Sequence, residues 1–192
     1  EFSDRIRALM VGMGFQEIIS NILGSPQDLR DAMRLEGTEW GKLVEVDNVM
    51  SQNFSALRQW ILPSLLRVET ASNRAFYPHR LFEAGEVARP DPTQSAGSRT
   101  VTLLGGMIAH ADAHFSEAHS CLDTLFYYVN QAYSLEPIQH PSFLAGRVGG
   151  IVSGGIQLGV IGELHPEVLE RWQIGVPAVA FEIDLTALSE RS

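Results

Sequence analysis

Residues 159–185, GVIGELHPEVLERWQIGVPAVAFEIDL, read as strand, short helix, strand. Val160 and Ile161 lie in an apolar run that ends at Gly162, as a buried strand does. Pro166 suits the first position of a helix, where its missing N–H costs nothing. Glu167 complements the helix dipole, and Val168, Leu169 and Trp172 recur at helical spacing. Gly175 and Pro177 stop that helix. From Val179 the chain alternates, with Val179, Phe181, Ile183 and Leu185 on one face and Ala180, Glu182 and Asp184 on the other. The second face carries carboxylates and no base.

Just upstream, 147–152 and 156–161 flank Ser153-Gly154-Gly155, a hairpin with a glycine turn. The run of glycines here lacks the Gly-Lys-Ser/Thr ending of a phosphate loop and lies between strands. Towards the start, Ser3 is a fitting N-cap, and Phe2, Ile6, Leu9 and Met13, with Met10 beside them, make an amphipathic helix. Strands are expected at 15–23, 42–46, 80–88 (Gly85 inside it) and 101–110. Ser25-Pro26 opens a helix, and another runs from Pro63-Ser64 to Asn73. Segment 89–98, rich in Pro, Ser and Gly, reads as a loop. Ser116 caps a helix bearing Leu122, Leu125, Phe126 and Val129, 137–142 is a connector, and a short helix follows Leu185. The sum is an α+β fold, a largely antiparallel sheet with helices packed on it.

Across 192 residues the hydrophobic share is 45%, enough for a substantial core. The 14 basic against 23 acidic residues leave a net charge of −9, which argues against this chain being a main platform for nucleic acid. Charged residues are only 19%, so a sizeable partner interface fits the surface. Cys121 stands alone, so no internal disulfide or cysteine metal cluster is expected. No signal-peptide pattern and no run of about 18 apolar residues is present, and a cytoplasmic protein with no membrane association is expected. The first residue is not Met, and the chain is expected to be a piece of something longer.

Several side-chain groups invite a chemical reading. On a strand, His110, Asp112 and His114 share a face and could meet one metal ion, with His119 nearby; a polar strand-to-helix loop is the alternative. Cys121 reads as a buried structural thiol. Glu163 and His165 could form an acid–base pair, or His165 could brace its own turn through side-chain hydrogen bonds. The stripe Ile6, Leu9, Met10, Met13 suits either an internal core or a subunit interface. Trp40, Trp60 and Trp172 read as packing residues.

Five blocks, NILGSPQDL, VEVDNVMSQNFSALRQWILPSLL, YPHRLFEAGEV, HPSFLAGR and the opening 159–185 segment, together resemble the C-terminal core module of the phenylalanyl-tRNA synthetase β subunit, in wording closer to the archaeal and eukaryotic type. The resemblance runs from Ser3 to Leu188, and 1–192 is expected to be one class II synthetase-like core module. It implies an antiparallel sheet flanked by helices, with degenerate copies of the three class motifs. It further implies that catalysis, with ATP and Mg, belongs to the α subunit of an α2β2 heterotetramer acting on tRNA(Phe). This module would hold no cofactor of its own and would show no activity alone. The first-motif match is the helix Ser3–Met13 with strand 15–23, which makes Ile6, Leu9, Met10 and Met13 candidate contacts to α. A class II active site holds phosphates with an Arg two residues before the Glu of its second motif. Here Arg80-Leu81-Phe82-Glu83 places Leu81 at that position and turns Arg80 to the opposite face. The third-motif match carries Glu182 and Asp184 and no Arg, which would repel a triphosphate. These residues point to a non-catalytic copy. A stand-alone metal enzyme using His110, Asp112 and His114, or a homodimerising binding module, are the alternatives.

Overall fold

The computed structural model describes residues 2–47, 51–72 and 75–190. In chain order the regular elements are α1 (Phe2–Gly12), β1 (Gln16–Glu17), β2 (Leu23–Gly24), β3 (Val44–Glu45), β4 (Ala56–Leu57), α2 (Leu62–Ala71), β5 (His79–Pro90) and β6 (Ser98–Ala109). They continue with α3 (Phe115–Tyr128), β7 (Ser134–Pro137), β8 (Phe143–Ser153), β9 (Ile156–Leu164), α4 (Pro166–Arg171), β10 (Ala178–Asp184) and α5 (Leu185–Ser189). One sheet runs β1-β5-β6-β10-β9-β8-β7, antiparallel except for the β1–β5 pair. A small antiparallel sheet, β2-β4-β3, stands apart from it.

Both faces of the large sheet are covered, so its alternation sorts side chains between two cores and not between core and water. On one side Phe82, Leu104, Ile108, Val179, Phe181 and Ile183 meet Ile6 and Met10 of α1 and Leu122, Leu125 and Phe126 of α3. On the other, Leu81, Leu103, Met107, Ala178 and Ala180 meet Leu62, Leu65 and Leu66 of α2 and Val168 and Trp172 of α4. The alternation expected for β10 holds, and all seven of its residues are buried.

The expected helix at the start is present, and of the two readings of its stripe, internal core or subunit interface, Ile6 and Met10 take the first. Ile6 and Met10 are fully buried against this chain's own sheet and α3, and Leu9 and Met13 pack partly buried on the same core. A helix lying on a sheet spends its apolar face there, so Ile6 and Met10 have no surface left for a partner.

Other boundaries move for local reasons. The single strand expected at 15–23 is two short pieces in different sheets, β1 and β2. The helix expected from Ser25-Pro26 is a five-residue π-helical turn, Gln27–Asp31, and the strand at 42–46 shrinks to β3. α2 begins at Leu62, with Pro63 in its first turn; Asn73, where it was expected to end, lies outside the described residues. The loop expected at 89–98 is present as the turn 91–97, and only its ends are strand, since β5 and β6 pair as far as Pro90↔Ser98. α3 starts two residues early, with His114 and not Ser116 in the capping place. Within the expected connector, Pro137 belongs to β7.

The glycine hairpin forms as expected between β8 and β9. Gly154 and Gly155 adopt φ of +56° and +77°, which suits residues without a Cβ.

Candidate functional site

Glu83 on β5 and Glu182 on β10 both stand opposite Gly105 of β6, so two carboxylates flank a glycine across the middle of the sheet. Both project to the α2 side, as the alternation through Leu81 and Ala180 requires. Both are almost wholly buried. Buried carboxylates need partners, because the charged form otherwise forfeits its hydration. The segment 58–62, leading into α2, supplies them.

Glu83 takes Arg58. The Nη2 of Arg58 lies 2.8 Å from Glu83 Oε1, with side-chain exposures of 2% and 6%. The Ser20 hydroxyl donates to Glu83 Oε2 at 2.5 Å. Arg58 spends its remaining donors on Ser64 Oγ at 3.0 Å, Ser20 Oγ at 2.6 Å and the Glu86 carbonyl at 3.0 Å. Room for the guanidinium comes from Gly85, where a Cβ would sit 2.5 Å from Arg58 Nη2.

Glu182 takes the start of α2. The backbone N–H groups of Ile61 and Leu62 donate to its two oxygens at 2.9 and 3.2 Å. Unsatisfied donors at a helix start, aligned with the helix dipole, favour a carboxylate there. This approach is possible because Gly105 has no side chain; a Cβ there would fall 2.5 Å from Ile61 Cγ2. Burial nonetheless dominates and lifts Glu182 from the ordinary 4.5 to about 7, against the opposing pull of the two N–H groups, Arg89 and Arg58.

That elevation has a measurable consequence. Between pH 4.5 and about 7 the folded chain binds more protons at Glu182 than the unfolded chain does. The associated stability is complete at pH below 4.5, is lost as pH rises through about 7, and changes little beyond. The expected slope approaches roughly 1.4 kcal/mol per pH unit in that window. Glu182→Gln is expected to flatten this contribution; urea denaturation across the window measures it, and an unchanged slope would refute the assignment.

Asp184, two residues on, lies on the same face. Its Oδ2 accepts from Arg89 Nη1 at 3.1 Å, and its Oδ1 accepts the Ala187 N–H at 2.9 Å, capping α5. Beside these groups opens a cavity of about 410 Å³. Glu182, Asp184, Arg89, Trp40 and Trp60 line it, with Gln59 and Gln157 among the polar walls. The Trp40 and Trp60 rings pack 5.5 Å apart.

The other residues singled out in the sequence lie elsewhere. Arg80 does point to the opposite face: its Nη2 is 2.6 Å from Glu117 Oε1, and its guanidinium stacks 5.7 Å from the Phe15 ring. Leu81 packs towards α2. His110, Asp112 and His114 do not converge on a metal. His110 Nε2 bonds Glu117 at 2.7 Å, His114 Nδ1 faces the Asp112 carbonyl at 2.8 Å, and Asp112 offers His110 only its backbone N–H. Among the described residues no group of three or more His, Cys, Asp or Glu could hold a metal ion. Glu163 and His165 also part company. Glu163 binds Arg147 and the Phe115 N–H, each at 2.9 Å, while His165 Nδ1 accepts the Glu167 N–H at 3.2 Å and caps α4. Cys121 is buried, and burial raises its thiol pKa. Tyr133, expected in no role, donates to Asp123 and is pushed well upward by burial.

Two cations that complete the site escaped the reading of the sequence. Arg89 could have been found by carrying the period-2 alternation from Glu83 through Gly85 and Val87 two residues further. Arg58 had no such signal, because it precedes a helix and reaches a strand 25 residues away.

A seven-stranded, largely antiparallel sheet with helices on both faces is a class II aminoacyl-tRNA synthetase-like fold. A pyrrolysyl tRNA synthetase, Desulfitobacterium hafniense PylSc, superposes with a TM-score of 0.78 over 97% of this chain and 66% of its own, at 16% identity. At the level of sequence, the phenylalanyl tRNA synthetase beta chain CLM domain matches residues 1–185, and the chain belongs to that family. The phenylalanine–tRNA ligase beta subunit of Thermococcus gammatolerans is 38% identical over 98% of this chain and 34% of its own length. That of Borreliella burgdorferi is 37% identical over 100% of this chain and 33% of its own. The chain thus spans about a third of these relatives. Among the described residues no helix is long and apolar enough to cross a membrane.

Proposed function

We propose that this chain is a non-catalytic assembly module of a phenylalanine–tRNA ligase β subunit, supporting an α subunit that aminoacylates tRNA(Phe) with phenylalanine. The observation that carries the reading is how the central charges are occupied. Arg58 is consumed by Glu83, and Glu182 accepts the two N–H groups at the start of α2. Stabilising an adenylate-forming transition state calls for donors held open towards developing negative charge. Here Arg89, tied to Asp184, is the one arginine among the cavity-lining residues.

The partner of this reading is the α subunit of an α2β2 heterotetramer. ATP and Mg are used in α, and the setting is the cytoplasm. With Ile6 and Met10 internal, the surface for α falls on what α1 and α3 leave open. Val11 is 58% exposed and Tyr127 78%, with Tyr128 beside it, on neighbouring helices. Such large apolar groups in the open are typical of contact surfaces.

Purified alone, the chain is expected to show no phenylalanine-dependent pyrophosphate exchange, and co-expressed with α it is expected to co-purify. Robust exchange by the chain alone would overturn the non-catalytic assignment. Failure to associate with α, with the chain folded, would overturn the assembly role.

A further inference from the structure

We propose that the cavity beside Trp40 and Trp60 binds a small primary amine with an aromatic or branched apolar body, its ammonium seated against Glu182. The inference does not depend on the assembly role, which needs no ligand in this cavity. At about 410 Å³ it is of the size that encloses small organic ligands. Its walls divide by chemistry. Trp40, Trp60, Leu103, Leu158 and Val160 offer apolar and aromatic surface, and Glu39, Lys42, Arg89, Glu182 and Asp184 are its charged members.

Counting charge there selects the ligand. Asp184 and Arg89 lie 3.1 Å apart and offset one another. At the rim, Lys42 and Glu39 do the same at 2.6 Å. Arg58 is spent on Glu83. What remains is Glu182, whose ionised form is the one unbalanced charge among the described lining residues and is complementary to a monocation. A zwitterion would bring a carboxylate of its own where the lining cations Arg89 and Lys42 are already paired, and an anion would add to the negative charge. The indole faces add to the match, since a cation gains from an aromatic face and the gain grows with desolvation. Each Glu182 oxygen holds one backbone N–H and keeps a further lone pair for an ammonium donor.

Burial keeps a proton on much of the Glu182 population near neutral pH, so an arriving ammonium displaces it. The charged groups facing Glu182 are Arg89 and Asp184 on the sheet, Arg58 ahead of α2, and Glu39 and Lys42 at the rim. Proton release on binding is therefore a signature that ordinary apolar uptake lacks.

Benzylamine and its neutral counterpart benzyl alcohol test the proposal by titration calorimetry near pH 6, in buffers of different ionisation heat. The expected result is saturable benzylamine binding with proton release, and benzyl alcohol at least about tenfold weaker. Glu182→Gln is expected to abolish the proton release. Trp40→Ala, a change at a partly exposed ring outside the sheet core, is expected to weaken benzylamine about fivefold. Any of three results would overturn the proposal: equal affinity for amine and alcohol, no benzylamine saturation below about 10 mM, or unchanged affinity in a folded Trp40→Ala protein.

Discussion

Replacing Arg58 by methionine is expected to cost about 3–5 kcal/mol of folding stability, the largest effect of any single change considered for this chain. Methionine keeps much of the stem, so the loss is not chiefly one of packing. It is electrostatic: Glu83 would remain buried with its counter-ion removed, and the hydroxyls of Ser20 and Ser64 would lose the donor that orders them. For a chain of this length the melting temperature should fall by roughly 10 °C. The diagnostic experiment is a double-mutant cycle. Arg58→Met introduced beside Glu83→Gln should cost at least about 1 kcal/mol less than it does alone, because no buried charge is then orphaned. Additive effects of the two substitutions would show that the pair is not coupled.

Gly105→Ala is expected to destabilise by about 3 kcal/mol, near the upper end for overpacking by one methyl group. Its Cβ would meet Ile61 Cγ2 at 2.5 Å and Ile61 Cβ at 2.7 Å, and Ile61 is fully buried. The clash can be relieved only by lifting the start of α2, which withdraws the N–H groups of Ile61 and Leu62 from Glu182. Two costs arrive together, a steric one and a desolvated carboxylate. Denaturant unfolding measures the sum. Pairing the substitution with Ile61→Val, which removes one methyl group from the crowded side, should recover part of it; no recovery would place the strain elsewhere.

Much of this was legible before the coordinates. The 159–185 segment declared its strand, helix and strand because proline, glycine and the alternation from Val179 act locally, and local signals survive into the fold. The turn at Gly154-Gly155 and the aim of Arg80 to the face opposite Leu81 follow from the same backbone periodicities. The elements misjudged are those whose form is set by distant partners. β1 and β2 are two residues each and exist because β5 and β4 lie beside them. The Ile6–Met13 stripe was equally apolar for a core or an interface, and only the sheet beneath it decides. The site was half visible. Glu83, Glu182 and Asp184 could be placed on their strands, but a carboxylate's neighbours are a property of assembly. The cations and N–H groups that neutralise these carboxylates come from 25, 95 and about 120 residues away in sequence.

The order of strands also sets an order in time. β10, the last strand in sequence, lies between β6 and β9 near the middle of the sheet. As the chain emerges, β5 with β6 and β8 with β9 can close as hairpins between sequence neighbours, each with one edge left unpaired. Residues 178–184 must arrive before those edges are joined, and they pair with partners up to about 80 residues earlier. Contacts of such long range make folding slow and leave open strand edges during synthesis. The strand that carries Glu182 is thus also the bolt that locks the two halves of the sheet together.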